Sequence, residues 1–325
     1  MGLFGASFSF DDVFSFDVSA EFGMVNGTIG EYVFDKNCKN TDNMVSRLDW
    51  DILTVPYGEI NISVDLFKYL YLGGSGRIAI PVYSGVMQDY DWLNSIPPGT
   101  LPLEMQNKWL KDDPTELTNY SKHTNKVVNY YNISGKIGGN IPISRKFTIT
   151  PYVGYEYDFI SMESFNGYTK YKWNNFQESP MPTGKCITYA QEINQFIVGV
   201  EVDFEELKKF PLYFDFHFVP GLGKLVALDI HYARKTNGSD GTAFLDILSP
   251  IFLFDGKISG YYRFDKYNRL GLSMFFNYMP LTRGMNGVGL VKDGKLPESF
   301  SGNTTGQGGA SRFLFGISLI YKFKF

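Results

Sequence analysis

Apolar residues occupy every second position over the last thirteen residues of the chain, 313–325. The opposite face of this segment is small or basic and carries Gly316, Ser318, Lys322 and Lys324. A period of two with one apolar face is the pattern of a β-strand. Thirteen residues are enough for a tilted strand to cross a bilayer, because such a strand needs about ten. The end of the chain is therefore predicted to be a membrane-spanning strand with Phe325 in its wall.

The same alternation recurs upstream. It predicts further strands over 14–22, 50–52, 60–66, 78–82, 127–141, 147–159, 193–204, 212–218, 225–231, 251–264 and 270–278. When doubtful neighbours are merged about ten strands remain, and single-chain bacterial barrels have an even number. Polar stretches at 35–45, 95–126, 166–185, 235–241 and 283–309 are predicted to be long outward-facing loops, and Gly73 to Gly76 a turn. We expect function to reside on the side of these loops.

Composition agrees with a barrel wall. The 325 residues are 17% aromatic and 44% hydrophobic, with a mean hydropathy of −0.15. No apolar run approaches the roughly 18 residues that a membrane-spanning helix needs. Alternating strands keep the mean hydropathy near zero while aromatic residues gather at the membrane interfaces. The chain is predicted to be all-β, a single closed antiparallel transmembrane β-barrel over residues 1–325 with long extracellular loops, in a bacterial outer membrane.

Charge and cysteines exclude other classes. A net charge of −4 gives no basic footprint, so nucleic acid is not an expected partner. Cys38 and Cys186 lie far apart in polar contexts without a CxxC or Cys/His spacing, so neither a metal site nor a redox motif is predicted, and no cofactor. A disulfide and two separate surface thiols both remain open. The first residues lack a secretory signal, so we expect the numbering to begin on the mature chain.

One acidic pair follows the apolar run that ends at Val82. In a strand, residues i and i+2 share a face, so Asp89 and Asp91 point together while Tyr90 and Trp92 point away. Two carboxylates held a few ångströms apart repel each other, which raises the pKa of one of them and favours a shared proton. The alternative is two solvated acids at the end of a strand.

A second pair combines a carboxylate with an imidazole. Asp229 and His231 stand at i and i+2 near the end of the segment that begins at Leu225. A carboxylate fixes the tautomer of an imidazole and stabilises its protonated form, so the ring can take a proton from water. Alone this pair is a weak motif, and a solvated histidine is the alternative. His217 shares a face with Asp215 and is predicted to join strands inside the lumen, whereas His123 falls in a polar loop or strand approach.

Together the two pairs resemble the omptin family of outer-membrane proteases. These ten-stranded barrels carry Asp-x-Asp-Trp and Asp-x-His on facing walls of an extracellular groove. Further similar segments are Ser46-Arg47-Leu48-Asp49-Trp50, Pro98-Gly99-Thr100, and Ser121-Lys122-His123 with Asn129-Tyr130. The resemblance implies an endopeptidase in which Asp229 orients His231. His231 would deprotonate a water held against Asp89 and Asp91, with no metal and no covalent intermediate.

The binding residues of the family are less complete. Omptins cleave beside basic residues with a Glu that matches Glu31 and an Asp that is Ala227 here, and a prime-side Asp corresponds to Asn119. Because Ala227 and Asn119 replace two acids of the family, we predict a weaker preference for Arg or Lys before the scissile bond. The substitution Ala227→Asp should strengthen that preference. The lipopolysaccharide cluster Tyr-x-Glu-x-Arg has Tyr157 and Phe159 in place of its Glu and Arg, so the sequence does not support activation by lipopolysaccharide.

The partners that this resemblance implies are peptide or protein substrates at the cell surface and the lipid of the outer membrane. Two other functions remain open. One is a related barrel without proteolytic activity that acts as an adhesin or receptor. The other is a small substrate channel, although ten strands leave a lumen that side chains nearly fill, whereas open channels are typical of 16 to 18 strands.

Overall fold

The computed structural model describes residues 14–36, 43–93, 116–144, 146–181, 183–207, 210–235, 238–302 and 306–324. Among these residues, the elements are strands and a 3-10 turn at Lys172–Asn174. Their bounds are β1 Phe14–Asp35, β2 Met44–Leu66, β3 Leu70–Ala79, β4 Val82–Asp91, β5 Asn119–Gly139, β6 Ile141–Ser144, β7 Phe147–Tyr171, β8 Glu178–Pro180, β9 Lys185–Leu207, β10 Phe210–His231, β11 Gly241–Arg263, β12 Asn268–Val291, β13 Ser301–Gly302 and β14 Gly306–Lys324. Within these residues, no helix is long and apolar enough to cross a membrane.

The strands form a closed antiparallel ring. Each long strand pairs with its sequence neighbour, and β14 returns to pair with β1 from Asp17↔Lys324 to Asp35↔Gly306. β3 and β4 together occupy one position, because both pair with β2 on one side and with β5 on the other. Among the described residues, the wall therefore has ten strand positions, which confirms the predicted barrel.

Apolar side chains face outward on this wall and polar ones face the lumen. On β14, Phe313, Phe315 and Leu319 are about half exposed, whereas Arg312 and Ser318 are buried. A water-soluble barrel would have the opposite arrangement, so the outward face is built to contact lipid. The alternation predicted for the last strand is confirmed up to Lys324, and Phe325 lies outside the described residues.

The two ends of the barrel differ. Turns of a few residues connect the strands at the end that holds Phe14 and Lys324, and the long connections lie at the other end. Outer-membrane barrels have short periplasmic turns and longer extracellular loops, so we call the end with long connections the outer end. Toward that end the outward faces of β4 and β5 become polar, with Gln88, Lys122 and Lys126. The wall therefore continues beyond its apolar band.

Several predicted boundaries were wrong for that reason. The segments 50–52 and 60–66 belong to the single strand β2, and 212–218 and 225–231 belong to β10. Residues 119–126, 166–171, 283–291 and 306–309 were expected to be loops but lie in β5, β7, β12 and β14. Beyond the apolar band, water lies outside the wall and polar side chains line it inside, so the alternation that marks a strand is lost.

Two local predictions near the third wall position were also wrong. Gly73 to Gly76 is not a turn but the middle of β3, where Gly73 pairs with Ser63 and Lys136. The predicted strand 78–82 contains the break between β3 and β4 at Ile80 and Pro81. Pro81 has no N–H to donate to a neighbouring strand, which accounts for an interruption there.

The two cysteines are not both surface thiols. Cys186 is 4% exposed and lies in β9, where it is a free thiol. Cys186 was predicted to lie in a loop because polar residues precede it. That prediction was wrong, since β9 begins at Lys185, one residue before the cysteine. Cys38 lies outside the described residues.

Charged side chains fill the lumen at membrane level. Lys257 forms ion pairs with Glu21 and Glu59, and Glu59 also lies 2.5 Å from Arg77. The guanidinium of Arg77 rests on the ring of Phe275, 4.0 Å from its centroid. These residues come from β1, β2, β3, β11 and β12, so they cross the lumen from wall to wall.

We expect the protein in planar bilayers to show no conductance steps of the size seen with a 16-stranded porin. The ion pairs around Lys257 occupy the space through which ions would pass. A 16-stranded porin in the same bilayer is the positive control. Regular steps of porin size would show that the lumen is open and would favour the channel hypothesis.

Candidate active site

The first predicted pair lies on β4 and faces the lumen. Asp89 and Asp91 are 9% and 5% exposed, while Tyr90 faces outward and stacks on Trp92 with ring centroids 6.5 Å apart. The two carboxylates thus share a face, as their spacing predicted. Burial, and then the neighbouring Asp91, raise the pKa of Asp89 well above its ordinary value. Asp89 can therefore hold a proton beside Asp91.

Neutral donors hold these two carboxylates in place. Ser46 on β2 donates its hydroxyl hydrogen to Asp89 Oδ1 at 3.4 Å. Asn119, the first residue of β5, donates from Nδ2 to Asp91 Oδ2 at 3.3 Å. Both donors are cross-strand neighbours of Asp91. The predicted substrate residue Asn119 is thus in direct contact with the acidic pair.

The second predicted pair lies at the outer end of β10. The Nε2 atom of His231 is 2.5 Å from Oδ2 of Asp229, and both side chains are buried. The imidazole also packs edge-on against Phe244, with ring centroids 5.5 Å apart. A carboxylate on one ring nitrogen fixes where the proton resides, which leaves the second nitrogen to accept another. This pair has the arrangement of an oriented general base.

The two pairs face each other across the lumen. β5, β7 and β9 separate β4 from β10 along the shorter arc of the ring. The charge of Asp229 contributes, after burial and Asp91, to the raised pKa of Asp89. Below them, Trp50 on β2 stacks on Tyr189 on β9 with ring centroids 5.8 Å apart. Both rings are fully buried, so the groove has an aromatic floor.

The motifs did not predict that a cation lies beside these acids. Arg234 follows β10, and its NH2 atom is 3.8 Å from Asp91 Oδ2. Its backbone carbonyl accepts a hydrogen bond from Thr242 at 2.8 Å. The side chain is 44% exposed, so solvent screens this long contact. Alternation along a strand cannot identify such a residue, because Arg234 lies in a connection.

The predicted binding residues Glu31 and Ala227 are also buried near the second pair. Glu31 on β1 is 2% exposed, and burial followed by Asp229 and Asp246 raises its pKa well above the ordinary value. Ala227 is 1% exposed on β10. Asp246 on β11 was not predicted, yet it is the direct cross-strand neighbour of Ala227. Its place depends on the register of the β10–β11 hairpin, which the sequence pattern does not give.

The remaining histidines lie outside the two pairs, although His123 is close enough to His231 to be affected by its charge. His123 was expected in a loop or strand approach but is buried in β5, between the hydroxyl of Ser121 at 2.8 Å and the carbonyl of Asn166. Burial lowers the pKa of its imidazole. His217 lies in the lumen 3.5 Å from Glu201, on β9. Neither belongs to the facing pairs.

Two further predicted features can be placed. Tyr157 and Phe159, which replace the lipopolysaccharide-binding positions, lie on the outward face of β7 and pack against Tyr131. Asp158 between them points inward to Arg312. In the part of the chain that is described, no group of three or more His, Cys, Asp or Glu side chains is arranged to hold a metal ion.

Known proteins are similar to this chain in sequence and in fold. A model of the Omptin family matches residues 12–323. The plasminogen activator of Yersinia pestis is 26% identical over 232 residues, which cover 69% of this chain and 67% of that protein. The crystal structure of the outer membrane protease OmpT from Escherichia coli superposes with a TM-score of 0.78 at 16% identity, covering 98% of this chain and 99% of that one.

Proposed function

Because this chain belongs to the omptin family of outer-membrane proteases, we propose that it is a cell-surface endopeptidase that uses Asp229 and His231 to activate water. The observation that carries this proposal is that Asp89 and Asp91 converge with Asp229 and His231 from facing walls of one groove. The groove lies at the outer end of the barrel, so its substrates are extracellular peptides or proteins.

In the proposed reaction, His231 removes a proton from a water molecule that lies between it and the acidic pair. Asp229 holds the imidazole and stabilises the imidazolium that forms. The water oxygen attacks the peptide carbonyl carbon, and the protonated imidazole then gives its proton to the leaving amine. The nucleophile is water, so no covalent bond to the enzyme forms.

Asp89 and Asp91 would bind the same water from the other side. With Asp89 protonated, the pair offers one donor and several acceptor oxygens, which suits a water that must be oriented before it is deprotonated. Ser46 and Asn119 fix the two carboxylates and so restrict where the water can lie.

The side chain before the scissile bond would enter the space beside Glu31 and Ala227. Both line the groove next to Asp229, and Glu31 brings a carboxyl group to it. We infer that basic residues are accepted there. Asn119, in contact with Asp91, lies on the other wall, where it would contact the residue after the bond without supplying a charge.

A mixed peptide library gives the direct test. Refolded protein is incubated with the library, and new peptide ends are located by mass spectrometry. We expect internal cleavage that continues in EDTA and in phenylmethylsulfonyl fluoride, because neither a metal nor a serine nucleophile takes part in the proposed reaction. Loss of cleavage in EDTA, or no cleavage by a protein whose β-structure is confirmed by circular dichroism, would overturn the proposal.

A further inference from the structure

Ala227 lies opposite a carboxylate on the next strand. Asp246 on β11 is its cross-strand neighbour, and Gln191 on β9 is its neighbour on the other side. Asp246 is 5% exposed and points into the groove, where Asn286 on β12 donates to its Oδ1 at 2.6 Å. A Cβ at Gly308 on β14 would lie 2.1 Å from the carboxyl carbon of Asp246, so this glycine leaves the carboxylate its space.

The surroundings contain buried oxygen atoms without donors. Oε1 of Gln191 is buried and has no hydrogen-bond partner within the described residues. The buried Oε2 of Glu31 and Oδ1 of Asp229 likewise meet no nitrogen or hydroxyl donor there, and these two carboxyl groups contact each other. In the same part of the chain, no Lys or Arg nitrogen lies within 4.0 Å of Glu31 or Asp246. Buried acceptors and carboxylates of one sign are costly unless a cationic donor joins them. Among the described residues, the cation near these groups is Arg234, which is 44% exposed and lies 3.8 Å from Asp91 on the other wall. A ligand is therefore the natural source of a cation beside Asp246.

We propose that Asp246 supplies the second carboxylate of the pocket for the side chain before the scissile bond, and that this pocket selects a guanidinium or ammonium group. The proposal rests on the proposed function, since it assigns the selectivity of that groove. Asp246 would replace the acid that the family has at the position of Ala227, because its carboxylate reaches the same space from the neighbouring strand. The weaker preference for basic residues that Ala227 predicted is then not expected.

The ionisation of the pocket gives a second consequence. Burial and then Asp229 raise the pKa of Asp246 to about 7, although the hydrogen bond from Asn286 lowers it. The other ionisable groups that face it are Glu31 on β1 and Tyr189 on β9, with Arg234 beyond Glu31 and Asp229. Below pH 7 the carboxyl is neutral and attracts a cation less, so selectivity for Arg should rise as the pH rises through 7.

The test compares two peptides that differ only before the scissile bond, one with Arg and one with citrulline, its neutral isostere. The measured quantity is the ratio of their kcat/KM values. Asp246→Asn keeps the shape of the side chain and its contact with Asn286. We expect it to lower the ratio by about 30-fold, as expected when one partner of a buried charge pair is lost.

Asp255→Asn is the matched control. Asp255 is a partly buried acid on β11 that also accepts a hydrogen bond at 2.6 Å from an asparagine on β12, Asn277, but it lies at membrane level in the lumen. The ratio should not change in this variant. Because the catalytic histidine acts on both peptides alike, the ratio of the unmodified protein should rise between pH 6 and pH 8. That rise should be smaller in Asp246→Asn, where Glu31 is the carboxyl group of the pocket that still ionises.

A swap of the two cross-strand residues tests the position itself. Asp246→Ala should lose the preference for Arg, and Ala227→Asp added to it should restore the preference, because either strand can place the carboxylate in the pocket. An unchanged ratio in both Asp246→Asn and Asp246→Ala would overturn this inference. It would leave the proposed function intact as long as His231→Ala still abolishes cleavage, whereas cleavage that survives His231→Ala would contradict the proposed function.

Discussion

Replacement of His231 by alanine is expected to lower kcat by about 10² to 10⁴-fold while the barrel remains folded, the usual contribution of a general base. The imidazole is the only described nitrogen base paired with a carboxylate in the groove, at 2.5 Å from Asp229. Asp229→Asn should lose nearly as much, because an amide neither fixes the imidazole in the same tautomer nor stabilises its charged form. Neither change removes a wall contact between strands, since backbone hydrogen bonds hold β10 to β9 and β11.

The measurement is the rate of cleavage of a fluorogenic peptide at saturating concentration, with circular dichroism to confirm the fold of each variant. His217→Gln is the matched control, because His217 is a partly buried histidine on β10 that also lies beside a carboxylate, Glu201, but in the lumen away from the groove. We expect this control to retain activity. Full activity in folded His231→Ala would show that another group activates the water.

Replacement of Arg312 by methionine is expected to lower the free energy of unfolding by about 3 to 5 kcal/mol. Arg312 is 1% exposed and pairs with Asp158, which is 2% exposed, across the barrel between β14 and β7. The guanidinium also lies over the ring of Tyr130, 5.5 Å from its centroid. Without Arg312, the buried Asp158 carboxylate would lose its ion-pair partner, which accounts for the size of the effect.

Unfolding in denaturant, followed by tryptophan fluorescence, gives this free energy. Adding Asp158→Asn to Arg312→Met should recover part of the loss, because the remaining side chain is then neutral. Lys324→Met is the control. Lys324 lies 3.8 Å from Asp17, and its side chain is 36% exposed. An ion pair at such an exposed position contributes at most about 1 kcal/mol. A loss below that value in Arg312→Met would mean that the pair does not hold β14 to β7.

The sequence predicted the barrel wall where lipid covers it. On β14 every second side chain had to be apolar, so Phe313, Phe315 and Leu319 marked both the strand and its orientation. Nearer the outer end this constraint ends, which is why Asn119 and the residues that follow it were expected in a loop. The strand is there, but backbone pairing with β4 and β7 holds it rather than an apolar face.

The candidate site was predictable only where its residues are close in sequence. Asp89 with Asp91, and Asp229 with His231, are two residues apart, so strand geometry alone places each pair on one face. Asp246 is nineteen residues from Ala227, and the two meet only because of the register of the β10–β11 hairpin. A long connection between these strands leaves that register open in the sequence.

His231 lies in a strand of the barrel wall, and in the proposed reaction its position sets the distance between the scissile bond and the membrane. The last strongly exposed apolar side chain of β10 is Leu222, nine residues before His231. At about 3.3 Å per residue and a tilt near 45°, the imidazole stands on the order of 20 Å above that level. If His231 activates the water as proposed, a protein at the cell surface is expected to be cut where it presents an extended segment at this height. Selection among substrates would then depend on reach as well as on sequence.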